Sequence, residues 1–226
     1  MSAKPTLGYW NIRGLAQPIR LLLAYNETEF EDKRYNYGPP PDFDRSSWLN
    51  EKHSLGLDFP NLPYYIDGDT KISQSGAILR HLARKHKMNG ENEQEKVRID
   101  MAEQQLVDLR MGFVRFAYNP DFENLKDGYL KDLPNQLKLF SDFLGKNKWF
   151  AGDKLSYVDF IIYEMLDQHR ILAPDCYKDS PNLKEFLDRF EGLPTIQSYM
   201  KSDKYIKWPL NGDMAKFGSR LQSPPQ

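Results

Sequence analysis

Residues 63–73, PYYIDGDTKIS, predict a β-hairpin. Two short runs that favour β-structure flank Asp67-Gly68, and an Asp-Gly pair between such runs is a strong signal for a tight hairpin turn. Pro63 marks the start of the first strand, because proline cannot donate a backbone hydrogen bond inside a sheet. Residues 75–85 continue with a helical pattern, so a helix is predicted directly after the hairpin.

The residues before the hairpin predict a strand, a helix and a second strand. Thr6–Trp10 is a short apolar run typical of buried strands. Ile19–Tyr25 has a helical pattern, with Pro18 at the expected first position of the helix. A weaker strand is predicted near Phe30–Tyr35, and residues 38–44 hold three successive prolines, which predict a loop. The first part of the chain is therefore predicted to be a compact α/β unit.

The strand signals end near Glu91, and the rest of the chain is helical in pattern. Long helices are predicted over Glu91–Tyr118 and Tyr129–Leu144, with a kink or break at Pro134 in the second one. We accordingly predict a fold of class α/β plus all-α. Its predicted domains are residues 1–87, with βαβ-ββα order, and residues 88–226, which are all-helical.

One helix of the second domain is expected to lie at its centre. Ser156 and Asp159 resemble a capping box before Phe160–Leu166, and that run is apolar nearly all round. Shorter helices are predicted at Leu183–Phe190 and Thr195–Met200. The tail, Trp208–Gln226, is rich in glycine and proline and is expected to lie on the surface.

Composition excludes several classes of function. The chain has 226 residues, a formal net charge of −1, 40% hydrophobic and 13% aromatic residues. It is too rich in apolar residues to be disordered, and it lacks the basic surplus of a nucleic-acid-binding protein. No apolar run approaches the ~20 residues of a membrane span. The single cysteine, Cys176, excludes an intrachain disulfide, a CxxC redox pair and a thiolate zinc cluster. We predict a cytoplasmic protein with no metal, nucleic-acid or membrane partner.

Three local features could form an anion-binding site, and each has a simpler structural explanation. Lys71–Gly76 leads from a strand into a helix start, which can bind a carboxylate or phosphate, although Ser73 or Ser75 could be an ordinary N-terminal cap. Tyr9 and Trp10 end the first strand, where open sheets often bind ligands, but both could be core aromatics. A third feature, Arg45, Trp48 and Lys52, has helical spacing that predicts two cations and an aromatic on one face, although a solvated basic face is the simpler explanation.

Several longer motifs resemble the mu class of cytosolic glutathione transferases. They include LGYWNIRGLA at residues 7–16, SSWLNEK at 46–52, LGLDFPNLP at 55–63, Gln74-Ser75, YNPDFE at 118–123 and the segment 152–160. The motifs occur in the order expected for the family, and the resemblance extends from about residue 6 to about residue 206. It implies a thioredoxin-like N-terminal domain, an all-helical C-terminal domain and a homodimer. It also implies conjugation of hydrophobic electrophiles, with glutathione as co-substrate and with no cofactor.

The resemblance assigns roles to individual residues. Tyr9 would be catalytic, donating a hydrogen bond from its hydroxyl to the glutathione sulfur so that the thiolate is favoured. The glycyl and cysteinyl parts would be held by Trp10, Arg45, Trp48, Lys52, Asn61 and Leu62. Gln74 and Ser75 would bind the γ-glutamyl end, and the partner subunit's Asp108 would reach its amino group. Pro63 would follow a cis peptide bond.

The same comparison assigns the electrophile site and the dimer interface. The electrophile would contact Ile12, Leu15, Met111, Val114 and Tyr118. Tyr118 could also hydrogen-bond a developing negative charge. The interface would use Phe59 as an aromatic inserted into the neighbouring subunit, and Arg80 and Arg84 with Asp100 and Glu103 as acidic partners.

Two alternatives and three departures accompany this hypothesis. A non-catalytic carrier of lipophilic compounds could use the same pocket, but it would not need a hydroxyl at Tyr9. A thiol-disulfide oxidoreductase is disfavoured, because no cysteine pair follows the first strand. Gly76, Gly212 and the pair Lys216-Phe217 differ from residues common in the family, which leaves the choice of electrophile open.

Overall fold

The computed structural model describes residues 4–224 and contains a four-stranded sheet. The strands are β1 (Thr6–Trp10), β2 (Glu31–Tyr35), β3 (Tyr64–Asp67) and β4 (Thr70–Ser73). Their order across the sheet is β2-β1-β3-β4. β1 pairs parallel with β2 and antiparallel with β3, and β3 and β4 form the predicted hairpin. The parallel pair requires a crossover, which the helix between β1 and β2 provides.

Three helices accompany the sheet, namely α1 (Gln17–Tyr25), α2 (Ser46–Leu49) and α3 (Ser75–Lys85). The predicted βαβ-ββα order is therefore confirmed, with α2 as an addition. Pro18 lies in the first turn of α1, one residue later than predicted. The predicted common helical face of Arg45, Trp48 and Lys52 is borne out only in part: α2 begins after Arg45 and ends before Lys52, but the Lys52 N–H still donates to the Trp48 carbonyl at 3.0 Å.

Five helices follow, namely α4 (Glu93–Ala117), α5 (Phe122–Leu144), α6 (Tyr157–Leu172), α7 (Pro181–Glu191) and α8 (Pro194–Met200). α5 begins two turns before the predicted Tyr129, and it runs through Pro134 without the predicted break. Phe122, Leu133 and Leu137 are buried, so packing against the core stabilises the helix on both sides of the proline.

The capping box before α6 is confirmed. The Asp159 carboxylate accepts hydrogen bonds from the backbone N–H and the hydroxyl of Ser156, at 2.8 and 2.9 Å. It also accepts one from the Phe150 N–H, at 2.8 Å, which ties the preceding loop to the helix start. Burial raises the pKa of Asp159 to about 6. α6 is buried over most of its length and forms the centre of the helical part, as predicted.

The two parts of the molecule are joined by a buried ion network. Arg13 follows β1 and is 1% exposed. Its guanidinium donates two hydrogen bonds to Glu164, at 2.9 and 2.7 Å, and one to Asp167, at 2.6 Å. Both carboxylates lie on α6, so the loop after β1 is fixed to the central helix.

The predicted division into domains between residues 87 and 88 remains a prediction. The outer ends of the two predicted domains, residues 1–3 and 225–226, lie outside the described residues.

The prediction that the tail, residues 208–226, lies on the surface is wrong for the buried stretch within residues 210–219, whereas residues 220–224 are mostly exposed and residues 225–226 lie outside the described part of the chain. Leu210, Asn211, Asp213 and Ser219 are all less than 7% exposed. The tail folds back on itself, since the N–H groups of Leu210 and Asn211 both donate to the Gly218 carbonyl, at 2.8 and 2.9 Å. Within residues 4–224, none of the helices has both the length and the apolar character that a membrane crossing requires.

Candidate active site

Tyr9 occupies the end of β1 and is 7% exposed. Its hydroxyl oxygen accepts a hydrogen bond from the Leu15 N–H, at 3.2 Å. Burial raises the pKa of Tyr9, while the Leu15 N–H acts in the opposite direction, so the phenol remains protonated at neutral pH. Because the oxygen already accepts from the backbone, the hydroxyl proton is available to a group in the neighbouring cavity.

The loop that carries Leu15 requires a glycine. Gly14 has a φ of +43°, a conformation that residues with side chains rarely adopt. A Cβ atom there would lie 2.8 Å from the Tyr9 hydroxyl oxygen. The absence of a side chain at Gly14 therefore lets the backbone approach Tyr9 and position the Leu15 N–H.

A cavity of about 200 Å³ opens beside Tyr9, between the sheet part and the helical part. The predicted electrophile residues Ile12, Leu15, Val114 and Tyr118 line it, whereas Met111 is 41% exposed and lies outside the lining. Sequence analysis missed further lining residues, which include Phe113, Met165, Asn211, Arg110, Glu164 and Gln168. Most of these come from α4 and α6, where a helical pattern alone does not distinguish a cavity wall from a core.

Tyr118 has the same hydrogen-bond arrangement as Tyr9. Its hydroxyl oxygen accepts from the Gly212 N–H, at 2.7 Å, and burial raises its pKa. A Cβ atom at Gly212 would lie 3.1 Å from this oxygen and 3.3 Å from the hydroxyl oxygen of Tyr37. Gly212 thus lets the buried tail contact Tyr118 closely, and the Tyr118 proton remains available to the cavity.

The residues predicted to hold glutathione lie around the same corner of the sheet. Trp10 stacks on Tyr37 with ring centroids 4.1 Å apart, and Trp48 is buried against Tyr35 and Tyr64. Arg45, Asn61 and Gln74 are exposed, and Lys52 and Ser75 are half-buried. Leu62 is buried and donates its N–H to the Asn61 side chain, at 2.9 Å, and the Leu62–Pro63 bond is cis as predicted.

The start of α3 differs from the predicted serine cap. Gln74 is the cap residue, with a φ of +74°, and Ser75 is the first helical residue. Among the described residues, no side chain caps this end of the helix. A positive φ in a non-glycine residue costs about 1–3 kcal/mol and tends to occur at functional sites. The uncapped N–H groups and the positive end of the helix are suited to a carboxylate.

The predicted interface residues include one pair that is closed within the chain. Arg80 donates to Glu103 at 2.7 Å, and the Tyr157 hydroxyl donates to the same carboxylate at 2.8 Å. Glu103 is 6% exposed, so its carboxylate is buried with hydrogen-bond partners from its own chain. The other predicted residues are exposed, namely Phe59, Arg84 and Asp100, and so is Asp108.

Within residues 4–224, no cluster of three or more His, Cys, Asp or Glu side chains is placed to hold a metal ion.

Comparison with known proteins identifies the family. Residues 5–84 match the model of the glutathione S-transferase N-terminal domain, and residues 107–203 match that of the C-terminal domain. Glutathione S-transferase Mu 1 of Bos taurus is 56% identical over 95% of this chain and 98% of that protein. The chain belongs to the mu class of glutathione S-transferases. It is therefore an enzyme that conjugates glutathione, and it has the thioredoxin-like fold with an all-helical second part.

Other relatives agree with this assignment. Glutathione S-transferase Mu 7 of Rattus norvegicus is 57% identical over 95% of this chain and 99% of that protein. Among solved structures, the glutathione S-transferase Blo t 8 has a TM-score of 0.86 and 36% identity, covering 94% of this chain and 99% of its own. A Pi-class glutathione S-transferase of Onchocerca volvulus has a TM-score of 0.83 and 38% identity, covering 94% and 100%.

Proposed function

We propose that Tyr9 activates glutathione by donating a hydrogen bond from its hydroxyl to the thiolate sulfur, and that the thiolate then attacks hydrophobic electrophiles. The observation that carries this proposal is the hydrogen bond from the Leu15 N–H to the Tyr9 oxygen. It uses the oxygen as an acceptor and leaves the O–H proton as a donor. Burial keeps the phenol neutral, so the donor is present throughout the physiological pH range.

The energy available from such a bond is sufficient for the task. A free thiol has a pKa of about 8.5, so only a small fraction is thiolate at neutral pH. Each unit by which the pKa is lowered needs ~1.4 kcal/mol of preferential stabilisation of the thiolate. A charge-assisted hydrogen bond contributes roughly 1.5–3 kcal/mol, which corresponds to one to two units. One phenol therefore suffices to make the thiolate a major species near neutral pH.

The proposal assigns the two carboxylates of glutathione to different places. The uncapped start of α3, with Gln74 and Ser75, takes the γ-glutamyl carboxylate, since its N–H groups and dipole attract an anion. The cations Arg45 and Lys52 take the glycyl carboxylate. The remaining contacts are to Trp10, Trp48, Asn61 and Leu62, and the partner subunit's Asp108 binds the amino group.

On the electrophile side, Tyr118 donates a hydrogen bond from its hydroxyl to the oxygen or nitro group that gains negative charge during attack. The apolar lining from Ile12, Leu15 and Val114 excludes water, which strengthens this bond. Met111 is exposed on α4 and does not line the cavity. Both aromatic substitution and conjugate addition need only a thiolate beside such a pocket.

We also propose that the enzyme is a homodimer in which Phe59 of each subunit enters the other. Phe59 is 73% exposed, which is costly for an isolated phenyl ring. An apolar groove of about 220 Å³ lies between α4 and α5, lined by Met101, Leu139 and Phe143 among others. Arg84 and Asp100 would flank the contact, beside the internal pair of Arg80 and Glu103. Sedimentation of Phe59→Ser as a monomer, where the wild type is a dimer, would support this; an unchanged dimer would contradict it.

The cytoplasm is the compartment that we propose for the reaction. The mechanism consumes reduced glutathione, and the chain's single cysteine, Cys176, is a free thiol. Fractionation of cells that produce the protein tests this assignment, and recovery in a secreted or membrane fraction would contradict it.

The Tyr9→Phe variant tests the mechanism. Turnover of a chromogenic halonitroaromatic should fall about ten- to a hundredfold near neutral pH, because the variant loses one to two units of thiol activation. The loss should shrink as pH rises and the thiol ionises unaided. Glutathione affinity should change little, since the tripeptide's other contacts remain. Turnover equal to that of the wild type across the pH range would refute the assigned role of Tyr9.

A further inference from the structure

Arg110 is a cation in the electrophile cavity without an anionic partner. It lies on α4, lines the cavity together with Tyr9 and Tyr118, and is partly buried. Within residues 4–224 its guanidinium forms neither an ion pair nor a hydrogen bond. The buried arginines elsewhere differ, since Arg13 pairs with Glu164 and Arg20 with Asp32. An unpaired cation that has lost part of its water is unfavourable unless an anion compensates for it.

The other charged residue of the cavity lining does not provide that compensation. Among the described residues that line the cavity, Glu164 is the single carboxylate, and both of its oxygens already accept hydrogen bonds. One accepts from Arg13 and from Gln168, at 2.9 and 2.7 Å, and the other accepts from Arg13 at 2.7 Å. Burial lowers the pKa of Arg110, and the phenolate form of Tyr9 is the neighbouring group that would raise it. The cavity thus holds one positive charge that is not neutralised.

We propose that Arg110 makes the enzyme selective for electrophiles that carry a fixed negative charge, a carboxylate above all. The inference rests on the proposed function, because the charge preference acts on the molecule that the sulfur attacks. A guanidinium can bind a carboxylate through two parallel hydrogen bonds, which orients the electrophile as well as attracting it. Glutathione's own carboxylates are assigned elsewhere, to the start of α3 and to Arg45 and Lys52.

The reaction itself is unchanged by this contact. With an aryl chloride, the sulfur forms a bond to the ring carbon, the carbon–chlorine bond breaks, and chloride leaves with the electron pair. The carboxylate remains on the ring and stays bound to Arg110 throughout. Its contribution is therefore to affinity and orientation, and it adds to whatever Tyr9 contributes through the thiolate.

A matched pair of electrophiles tests the proposal. One is a chloronitrobenzoate, with chlorine ortho to the nitro group and para to the carboxylate, and the other is the corresponding uncharged chloronitrobenzamide. The measured quantity is the ratio of their kcat/KM values, in which any change in the thiolate cancels. In Arg110→Gln this ratio should fall about ten- to a hundredfold relative to the wild type, as expected for a lost charge-assisted bond. In Arg110→Lys the ratio should fall less than in Arg110→Gln, because the positive charge is kept.

Arg115→Gln is the control for general electrostatics. Arg115 lies on the same helix and is exposed, so its loss changes the net charge equally without altering the cavity. The ratio should stay at the wild-type value in this variant. An unchanged ratio in Arg110→Gln, or an equal fall in Arg115→Gln, would overturn the proposal. A rise in the KM for glutathione with equal losses for both probes would also overturn it, since Arg110 would then bind glutathione.

A binding measurement separates this proposal from the proposed function. If the wild type conjugates neither probe above the uncatalysed rate, the proposed function fails. Calorimetric titration of the glutathione-loaded protein with unreactive nitrobenzoate and nitrobenzamide then decides the charge preference. Tighter binding of the benzoate that is lost in Arg110→Gln supports the role of Arg110, and equal binding of the two compounds overturns it.

Discussion

The hydroxyls of Tyr9 and Tyr118 are held in the same way by two very different regions of the molecule. Each oxygen accepts from one backbone N–H, that of Leu15 for Tyr9 and that of Gly212 for Tyr118. The first N–H belongs to the short loop after β1, and the second belongs to the tail. In the proposed mechanism, thiol activation would therefore depend on the sheet part, whereas the electrophile side would depend on how the tail is folded.

The two regions are nevertheless in contact. The N–H groups of Arg13 and Gly14 donate to the carbonyls of Pro209 and Leu210, at 2.9 and 3.0 Å. The tail is also joined to α4, because the Lys216 N–H donates to the Ala117 carbonyl at 2.7 Å. Variants that disturb one region and spare the other therefore show how far the two hydroxyls are independent.

The largest effect is expected from Arg13, which fixes the loop beside Tyr9 to α6. Arg13→Leu leaves Glu164 and Asp167 buried without their cation, and such a change typically costs about 3–5 kcal/mol of stability. Chemical denaturation should show this loss, and Arg115→Leu, which removes an exposed arginine outside the proposed interface, should stay within about 0.5 kcal/mol of the wild type. A loss of similar size in both variants would contradict the role of the buried network.

A smaller, pH-dependent effect is expected beneath the tail. His169 is buried, its imidazole is hydrogen-bonded to the Tyr129 hydroxyl at 2.7 Å, and its ring lies against Phe113, which in turn contacts Phe217. Burial lowers its pKa from 6.5 to about 4. Below pH 6.5 the imidazole is protonated in the unfolded chain but stays neutral in the folded chain. The contribution of the neutral His169 to the free energy of unfolding is therefore fully present above pH 6.5 and is lost on acidification toward pH 4.

The linkage predicts a loss of about 2 kcal/mol from His169 between pH 7 and pH 5. Asp159 acts in the opposite direction over part of this range, because its folded-state pKa is raised to about 6. The comparison should therefore be the stability difference between the wild type and His169→Gln, measured at both pH values. That difference should change by about 2 kcal/mol. Parallel stability curves for the two proteins would refute the assignment.

The smallest effect is expected at Gly212. A valine Cβ would lie 3.1 Å from the Tyr118 oxygen, so Gly212→Val should displace Tyr118. The kcat/KM for the electrophile should fall about three- to tenfold, which corresponds to roughly 1 kcal/mol. The pKa of the thiol of bound glutathione should not change. In a Tyr118→Phe background the substitution should have little further effect, since residues that act together are not additive. Full additivity would show that Gly212 acts by another route.

The sequence predicted the sheet part more completely than the rest. The hairpin, the strand that carries Tyr9 and the helix after it follow from local turn chemistry and periodicity, and they are confirmed. The capping box at Ser156 was recognisable because its two hydrogen bonds join residues three apart. The family motifs then placed Tyr9 and Tyr118 in one site.

Features that depend on distant contacts were not predictable in this way. The burial of the tail arises from bonds such as those from Gly212 to Tyr118, far apart in sequence, whereas its composition resembles a surface segment. The positive φ of Gln74 replaces the expected serine cap, and residue type alone does not indicate it. Arg110 was missed because a charged residue on a helix usually faces solvent, and only the packed structure places it beside Tyr9.

The most direct test of the central claim is the pKa of glutathione's thiol when bound to the wild type and to Tyr9→Phe. The thiolate can be followed by its ultraviolet absorbance in a pH titration of each complex, without any electrophile. We expect the wild type to hold the thiol pKa about one to two units below its free value of about 8.5, and the variant to return it most of the way. Equal pKa values in the two complexes would contradict the account.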